Sequence, residues 1–289
     1  MIVVLGDVAV DVLVTPHSPA VAGADVPATI RTRAGGAAAN TAAWMAHLGA
    51  AVTLVARVGD DVAGRAARAD LAAAGVGLRL AVDPELPTCT VVALLDGNER
   101  TMLSDRGAAG RLAPADLPVL DGATHLHVSG YVLLDAGSRP AGLAALAAAR
   151  AAGLTTSVDP PPAPAITAEF LRWVRGIDLL LPNADELRAL GDVEKLLAGV
   201  GVGVGVGVGV GAVAATAGPG AATWTDRSGS WQLTPPATRV VDPTGAGDAF
   251  NAGLLVAWLG GAEPAEALRA GCAAGAAAVG RLGARPTPR

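Results

Sequence analysis

Short, mostly apolar runs alternate along this chain with longer segments rich in alanine. Runs such as residues 2–5, 52–58 and 178–181 are typical of strands buried on both faces of a sheet. Alanine-rich segments such as residues 35–48, which a glycine follows, predict helices. Because strand and helix predictions alternate to the end of the chain, we expect an α/β fold. It should be a single domain over residues 1–289, with a mostly parallel central sheet and helices on both faces.

Three stretches depart from this alternation. Residues 13–34 are polar, contain three prolines and are too irregular for a helix, whereas residues 79–104 show a strand, turn and strand pattern. We expect both to form a small β lid that excludes water from the site beneath it. Residues 199–211 alternate glycine and valine. Part of this tract is expected to form the strand that leads to Thr216, and part an expanded loop.

The composition narrows the range of functions. Hydrophobic residues make up 52% of the 289 residues, which supplies a large core, and the net charge of −5 argues against nucleic acid or an anionic membrane as main partner. The first residues lack the basic segment of a signal peptide, so a soluble cytoplasmic protein is expected. Lys195 is the only lysine and no glycine loop precedes it, which excludes the phosphate loop G-x-x-x-x-G-K-[ST].

A candidate site lies at residues 241–253. Pro243, Gly245 and Gly247 stand directly before a long alanine-rich run, which predicts a tight loop that opens a helix near Gly247. The first N–H groups of a helix lack partners and lie at the positive end of its dipole, so they can hold an anion. Asp248 stands at the edge of this anion site. It fits a base that deprotonates a hydroxyl while the N–H groups hold a phosphoryl group, although a simple helix cap explains it equally well.

Two motifs resemble those of one known family. Residues 242–250 read D-P-T-G-A-G-D-A-F and resemble the C-terminal signature of the PfkB (ribokinase-like) carbohydrate kinases. Residues 35–42 read G-G-A-A-A-N-T-A and resemble their N-terminal signature. The motifs lie in the expected order, and the resemblance covers nearly the whole chain. It implies a ribokinase-like fold with a small β lid, and ATP-dependent phosphorylation of a hydroxyl on a sugar or sugar-like substrate.

The resemblance also implies roles for individual residues. Asp248 is the expected catalytic base, and the N–H groups of Gly245, Ala246 and Gly247 are the expected anion hole. Sugar hydroxyls are expected to meet four residues from the first part of the chain: Asp11, Gly35, Gly36 and Asn40. Arg106 is a further candidate, because an arginine near a sugar site can meet a carboxylate or phosphate of the substrate. The alternative is that Arg106 pairs with local acids.

ATP and Mg²⁺ are expected to bind beside this site. Asn183 and Glu186 fit a helix capping box, and the family's N-x-x-E motif at this place is linked to magnesium and phosphate. Glu186 is therefore expected to act on Mg²⁺ through water. Thr216, Gly218 and Gly220 resemble the family's T-x-G-x-x-G turn, shortened by one residue, whose backbone lies against ATP. These residues and Asn183, with the glycines of the anion hole, are the expected nucleotide contacts.

Several questions stay open at this stage. Asp242 and Thr244 match positions that hold a monovalent cation in many family members, so activation by K⁺ is a hypothesis. A nucleoside kinase would use the same machinery, and a non-catalytic regulator would bind sugar without turnover. Pairing of two copies through the lid is common in the family, and exposed strand edges favour it. His125 and His127 share a strand face, but two histidines are too few for a metal site. We therefore expect them to be buried strand residues and not metal ligands.

Overall fold

The computed structural model describes residues 1–19, 21–96, 99–199 and 209–287. Within these ranges the chain forms two β-sheets and nine α-helices. Nine strands form a large sheet and four form a small one. Strands and helices alternate along the chain, which confirms the α/β fold expected from the hydrophobic pattern.

The described strands are β1 (Ile2–Leu5), β2 (Ala9–Pro16), β3 (Ala28–Gly35), β4 (Val52–Gly59), β5 (Gly77–Asp83), β6 (Cys89–Asp96), β7 (Glu99–Asp105), β8 (His125–Ser129), β9 (Thr155–Asp159), β10 (Leu179–Leu180), β11 (Ala212–Ala215), β12 (Ala222–Asp226) and β13 (Gly229–Leu233). The described helices are α1 (Ala37–His47), α2 (Val62–Ala73), α3 (Gly130–Leu134), α4 (Arg139–Ala151), α5 (Ala168–Trp173), α6 (Ala184–Leu190), α7 (Val193–Ala198), α8 (Ala246–Leu259) and α9 (Pro264–Val279).

The large sheet separates two hydrophobic cores. Its order is β13-β12-β11-β10-β9-β8-β1-β4-β5, and all pairs are parallel except those that join β12 to its two neighbours. Ile2 and Val4 of β1 face the core under α1, α2, α8 and α9, whereas Val3 and Leu5 face the core under α4 to α7. Successive strand side chains point to opposite faces, so one apolar run serves both cores.

The small sheet has the order β3-β2-β6-β7. Its bounds differ from those expected for the lid at residues 13–34 and 79–104. It already begins at Ala9, and its second half begins only at Cys89, because the strand Gly77–Asp83 pairs with β4 in the large sheet. The turn at residues 97–98 lies outside the described residues. Closure of this sheet over a site, and pairing of two copies through it, stay predictions.

Only the ends of the glycine-valine tract lie within the described residues. Gly199 follows α7 in the left-handed conformation, and β11 begins at Ala212 and leads to Thr216. Residues 200–208, where an expanded loop was expected, lie outside the described ranges. Among the described helices, none has the length and apolarity needed to cross a membrane.

His125 and His127 lie in a buried polar network between β8 and β9. The two nitrogens of the His125 ring are 2.8 Å from Thr155 Oγ1 and 2.7 Å from Ser157 Oγ, and Nδ1 of His127 is 2.8 Å from the same Ser157 oxygen. Burial lowers the pKa of His125 to about 3 and that of His127 to about 4. The preference for buried strand positions over a metal site is consistent with these contacts.

This network should make the protein sensitive to acid. The unfolded chain protonates each histidine near its ordinary pKa of 6.5, whereas the folded protein resists protonation until far lower pH. The free energy of unfolding should therefore fall as the pH drops from 6.5 towards 4, by about 3 kcal/mol for His127 alone. Urea unfolding of His127→Gln should show a flatter pH dependence than the wild type. The same change at the exposed His17 should leave the slope unaltered, and equal slopes for all three proteins would contradict the prediction.

Candidate active site

Five neighbouring strands of the large sheet end at one edge, and each leads to a residue with a polar group. β1 and β8 lead to Asp7 and Tyr131, and β9 ends at Asp159. β10 and β11 lead to Asn183 and Thr216, which form a bridge between them. Ligands of open α/β sheets bind at the carboxyl ends of parallel strands. This edge is therefore the candidate site.

Helix α8 begins at this edge and carries Asp248. Gly245 precedes the helix with a φ of 78°, in the left-handed region that favours glycine, and Asp248 is the third helical residue. Asn40 of α1 donates from Nδ2 to Asp248 Oδ2 over 2.8 Å. The expected base and the expected sugar-binding amide are thus in contact, although 208 positions separate them in sequence.

Backbone N–H groups lie next to this carboxylate. Those of Gly247 and Asp248 have no hydrogen-bond acceptor within the described part of the chain, as expected at the start of a helix. Ala246 differs, because its N–H donates to the Pro243 carbonyl over 3.3 Å. The Ala246 N–H, which was expected in the anion hole, is therefore used within the loop. The N–H groups of Gly247 and Asp248 are available to an anion.

The packing of the protein itself requires Gly36 and restricts the space at Gly35, the two glycines before α1. Gly36 has a φ of 93°, and a Cβ at this position would lie 2.6 Å from the carbonyl oxygen of Asp7. The Asp11 carboxylate occupies the space that a Cβ of Gly35 would need. This steric reason differs from the close approach of a sugar that the sequence analysis expected. It also places Asp11 against the start of α1, where its charge acts on Asp248.

Two cavities adjoin at Thr216 and Gly247, which line both of them. The smaller has a volume of about 230 Å³ and is polar. Its walls include Tyr131, Asp159, Asn183, Glu186, Asp248 and Asn251. The larger has a volume of about 650 Å³ and is mostly apolar. Gly218 and Gly220 line it together with Pro235, Pro236, Phe250, Ala276 and Val279.

The pKa of Asp248 lies near neutral pH. Burial raises its pKa to about 7, and the negative charges of Asp7 and Asp11 act in the same direction. The hydrogen bond from Asn40 and the positive charge of Arg285 oppose this rise. A carboxyl group with a pKa close to 7 can both accept and release a proton at neutral pH, which is the property that a general base needs.

Two further carboxylates share the smaller cavity. Burial raises the pKa of Glu186 to about 7 and holds that of Asp159 well above its usual range, where repulsion from Glu186 and Asp248 adds to the effect. Glu186 also accepts hydrogen bonds from the Asn183 backbone N–H at 2.8 Å and from Asn183 Nδ2 at 2.6 Å. The capping box expected at this helix start is therefore confirmed.

Asp242 and Thr244 lie in the loop before α8. Asp242 Oδ1 accepts from the Thr244 N–H at 2.9 Å, and Oδ2 accepts from the Gly283 N–H at 3.0 Å. The carboxylate thus ties the loop to the end of the chain. Binding of a monovalent cation by this pair stays a prediction.

Arg106 packs on Tyr131, which lines the smaller cavity, and is held by acids. Its Nε donates to Asp135 Oδ2 at 2.9 Å, its Nη1 is 3.7 Å from Asp7 Oδ2, and its guanidinium lies 4.9 Å from the centre of the Tyr131 ring. The pairing with local acids that the sequence analysis weighed is therefore present. Its Nη2 is buried without a hydrogen-bond partner among the described residues, so a ligand oxygen can still use this donor.

Two residues of this site, Asn251 and Arg285, are not among the functional residues predicted from the sequence. Asn251 lies one helical turn after Asp248, and its side-chain amide opposes the rise in the pKa of Asp159. Its spacing of three from Asp248 is the signal that could have indicated it. Arg285 reaches Asn40 and Gly35 from near the end of the chain. No local pattern relates those segments, so its contacts emerge only in the folded structure.

A mostly parallel sheet flanked by helices, with a small second sheet, agrees with the ribokinase-like fold expected from the sequence. The family described as pfkB family carbohydrate kinase matches residues 1–289, and the chain belongs to that family. It is an ATP-dependent carbohydrate kinase, which confirms the resemblance that the two sequence motifs carry.

Relatives of the chain act on different substrates. It is 32% identical over 273 residues to the ATP-dependent ribose-1-phosphate kinase of Halopiger xanaduensis, covering 92% of this chain and 88% of that protein. It is 32% identical over 263 residues to a fructokinase of Klebsiella pneumoniae, and the match covers 87% of this chain and 82% of that protein. The aminoimidazole riboside kinase of Salmonella enterica, solved with aminoimidazole riboside and an ATP analogue, superimposes with a TM-score of 0.80 and 27% identity over 99% and 97% of the two chains.

The raised pKa of Asp248 should make this residue destabilising in the ligand-free protein. The unfolded chain ionises near pH 3.8 and the folded protein only near 7, so the free energy of unfolding falls as the pH rises through this interval. Asp248→Asn removes the effect. Its melting temperature should exceed that of the wild type by several degrees at pH 8, with the difference shrinking towards pH 4. Asp25→Asn, at an exposed position, is the control. A gap that stays constant with pH would show that Asp248 does not titrate in this way.

Proposed function

We propose that this kinase phosphorylates a hydroxyl of a sugar or sugar-like substrate with ATP, and that Asp248 is the base. The observation that carries the proposal is the position of Asp248. Its recessed carboxylate contacts Asn40, has a pKa near 7 and stands beside unpaired N–H groups. It lines the polar cavity next to Gly247, which lines both cavities. A base, an anion site and room for two substrates therefore lie within one cleft.

The proposed reaction needs little movement of protein groups. Asn40 holds Oδ2 of Asp248, which leaves Oδ1 to accept the proton of the substrate hydroxyl. The deprotonated oxygen attacks the γ-phosphorus of ATP, the bond to the bridging oxygen breaks, and ADP leaves. The N–H groups of Gly247 and Asp248, with that of Gly245, stabilise the charge on the phosphoryl oxygens during transfer. Asp11, Gly35, Gly36 and Arg106 surround the proposed position of the acceptor.

The two cavities suit the two parts of ATP. The larger, apolar cavity is proposed to hold the nucleoside against Thr216, Gly218 and Gly220, and the smaller one the terminal phosphates near Asn183. Glu186 and Asp159 repel each other across this polar cavity, and oxygen ligands of this kind suit Mg²⁺. Bound there through water, Mg²⁺ would neutralise phosphate charge.

A monovalent cation next to the anion site is a further part of the proposal. Asp242 and Thr244 stand directly before the helix start, and a cation there would add positive charge beside the transferring phosphoryl group. Turnover in KCl should then exceed turnover in NaCl. Equal rates in the two salts would remove this part and leave the rest standing.

The identity of the acceptor is a separate question. The relatives include a ribose-1-phosphate kinase, a fructokinase and a riboside kinase, so a nucleoside is the alternative to a sugar. A panel of sugars, sugar phosphates and nucleosides in a coupled ADP-release assay separates these classes. A protein that binds members of the panel without releasing ADP would instead be a sugar-binding regulator.

Asp248→Asn tests the base. The amide keeps the size of the side chain but cannot take a proton, so turnover should fall about 10²- to 10⁴-fold, the usual contribution of a general base. Binding of ATP and of the acceptor, followed by calorimetry, should change little. Turnover near that of the wild type would refute the assignment.

Gly247→Ala tests the anion site. A Cβ at Gly247 would meet nothing within 4 Å in the protein, so the variant should fold and melt like the wild type. It would stand where a phosphoryl group must approach the N–H groups, and turnover should fall about 100-fold. Gly280→Ala adds a methyl group at the end of α9 with only ordinary contacts and is the matched control. Equal activity of the two variants would speak against a phosphate position at Gly247.

A further inference from the structure

The end of the described chain docks between the two helix starts of the site. The Gly283 N–H donates to Asp242 Oδ2 at 3.0 Å, and the carbonyl of Ala284 accepts from Trp44 Nε1 at 2.9 Å. A Cβ at Gly245 would lie 2.6 Å from the Cα of Ala284, so the loop before α8 and this tail are in close contact. The tail is thus fixed on both sides just before Arg285.

Arg285 then reaches into the site with two donors. Its Nε donates to Asn40 Oδ1 at 3.1 Å, and its Nη2 donates to the Gly35 carbonyl at 2.7 Å. A guanidinium is planar, so two bonds from different nitrogens fix its orientation as well as its position. Asn40 is buried, and its amide is used on both sides, by Arg285 at the oxygen and by Asp248 at the nitrogen.

The chemistry of these groups allows only one orientation of the amide. Arginine has donors and no acceptor, so Asn40 must turn its oxygen towards Arg285. An ionised carboxylate only accepts, so the NH₂ group must face Asp248. The opposite orientation would set NH₂ against the guanidinium and oxygen against the carboxylate. Two mismatched contacts of this kind in a buried site are costly.

We propose that Arg285 is a positioning residue that orients the Asn40 amide and, through it, the Asp248 carboxylate. This inference rests on the proposed role of Asp248 as the base. It assigns to Asn40 a function in addition to the expected sugar binding, since each of the two contacts uses only one N–H or one lone pair of its amide. The C-terminal tail then becomes part of the site, because its docking decides where Arg285 stands.

Arg285 and Asp248, the two charged residues joined through Asn40, are surrounded mostly by acidic groups. The titratable and charged groups whose charges interact with that of Asp248 come from the strand ends, the small sheet, α3 and the tail: Asp7, Asp11, Tyr131, Asp159 and Arg285. Those that act on Arg285 are Asp7, Asp11, Asp70 and Asp248. Arg285 is the one cation that opposes the rise in the pKa of Asp248 among the interactions found for that carboxyl. Its removal should therefore raise this pKa further.

The test is an NMR titration that does not require turnover. The chain contains four asparagines, Asn40, Asn98, Asn183 and Asn251, so selective ¹⁵N labelling of asparagine gives four side-chain amide signals. Loss of one signal in Asn40→Ala identifies that of Asn40. In the wild type it should titrate with a midpoint near 7. In Asp248→Asn, where the new asparagine adds a fifth side-chain amide signal, the pH dependence of the Asn40 signal should vanish. In Arg285→Met the midpoint should move up by about one pH unit, because a nearby opposite charge is lost.

Arg281→Met is the matched control. Arg281 lies in the same tail, 5.3 Å from the centre of the Trp44 ring, and its Nε donates to the Ala277 carbonyl rather than to Asn40. The Asn40 signal of Arg281→Met should titrate with the same midpoint as that of the wild type. If Arg285→Met unfolds, Arg285→Lys replaces it, because lysine keeps the positive charge but cannot donate from two fixed positions. In Arg285→Lys the Asn40 signal should change position, and its titration midpoint should move less than expected for Arg285→Met. An Asn40 signal with unchanged position and midpoint in the Arg285 variant would overturn the proposal.

A double-mutant cycle adds a kinetic readout. A rise of one unit in the pKa of Asp248 lowers its ionised fraction about tenfold below both midpoints, so loss of the Arg285 charge alone should lower kcat of Arg285→Met about tenfold at pH 6 with little change of KM. Loss of the amide orientation should lower kcat further. In an Asn40→Ala background only the charge effect should remain, because no amide is left to orient, so the loss should shrink to about tenfold. Equal losses in both backgrounds would contradict action through Asn40. If Asp248→Asn instead keeps normal turnover while the NMR coupling is present, the proposed base fails and the positioning of Asp248 stands.

Discussion

The energetic cost of ionised carboxylates in a recessed cleft is the constraint on which this site depends. Asp248, Asp159 and Glu186 all have raised pKa values, and burial is the largest cause for each of them. Such groups lower stability at neutral pH unless they meet cations or donors. The protein supplies some of these partners, such as Asn40 and Arg285. In our proposal the Mg²⁺ that accompanies ATP brings further positive charge to the site.

The fold gathers these groups by bringing distant segments to one edge of the sheet. Parallel strands all end at this edge, so acids that follow different strands become neighbours. Helices α1 and α8 pack against each other in the core on one face of the sheet, and this contact sets Asn40 beside Asp248. The tail closes the arrangement through Ala284. The positions of the polar groups thus follow from apolar packing, which supplies most of the stabilisation.

The glycines of the two motifs show how packing and function can demand the same residue. Gly36 and Gly245 both have positive φ, and a side chain at either would clash with the protein backbone. Gly247 has no such conflict, so the structure of the protein alone does not explain why it is glycine. In our proposal a phosphoryl group approaches at that position. Steric need within the protein therefore distinguishes glycines that shape the loop from the one that faces the ligand.

Local features could be predicted because they depend on neighbours in sequence. The capping box of Asn183 and Glu186 and the start of α8 after Gly245 follow from caps and periodicity. The two motifs also identified the family and predicted Asn40 and Asp248, which meet at the starts of α1 and α8. The bounds expected for the lid differ from those of the small sheet, because pairing of β5 with β4 depends on which distant strand offers a free edge.

By itself, the sequence determined the order of the elements, the family, and the loop that places Asp248 beside a helix start. These properties follow from the period of apolar residues, from helix caps and from the backbone freedom of glycine. Only the tertiary structure decided that the Ala246 N–H is used within the loop and that the Asn40 amide lies between Asp248 and Arg285. Such contacts join groups 208 and 245 positions apart, and packing of the whole chain selects them rather than any local preference.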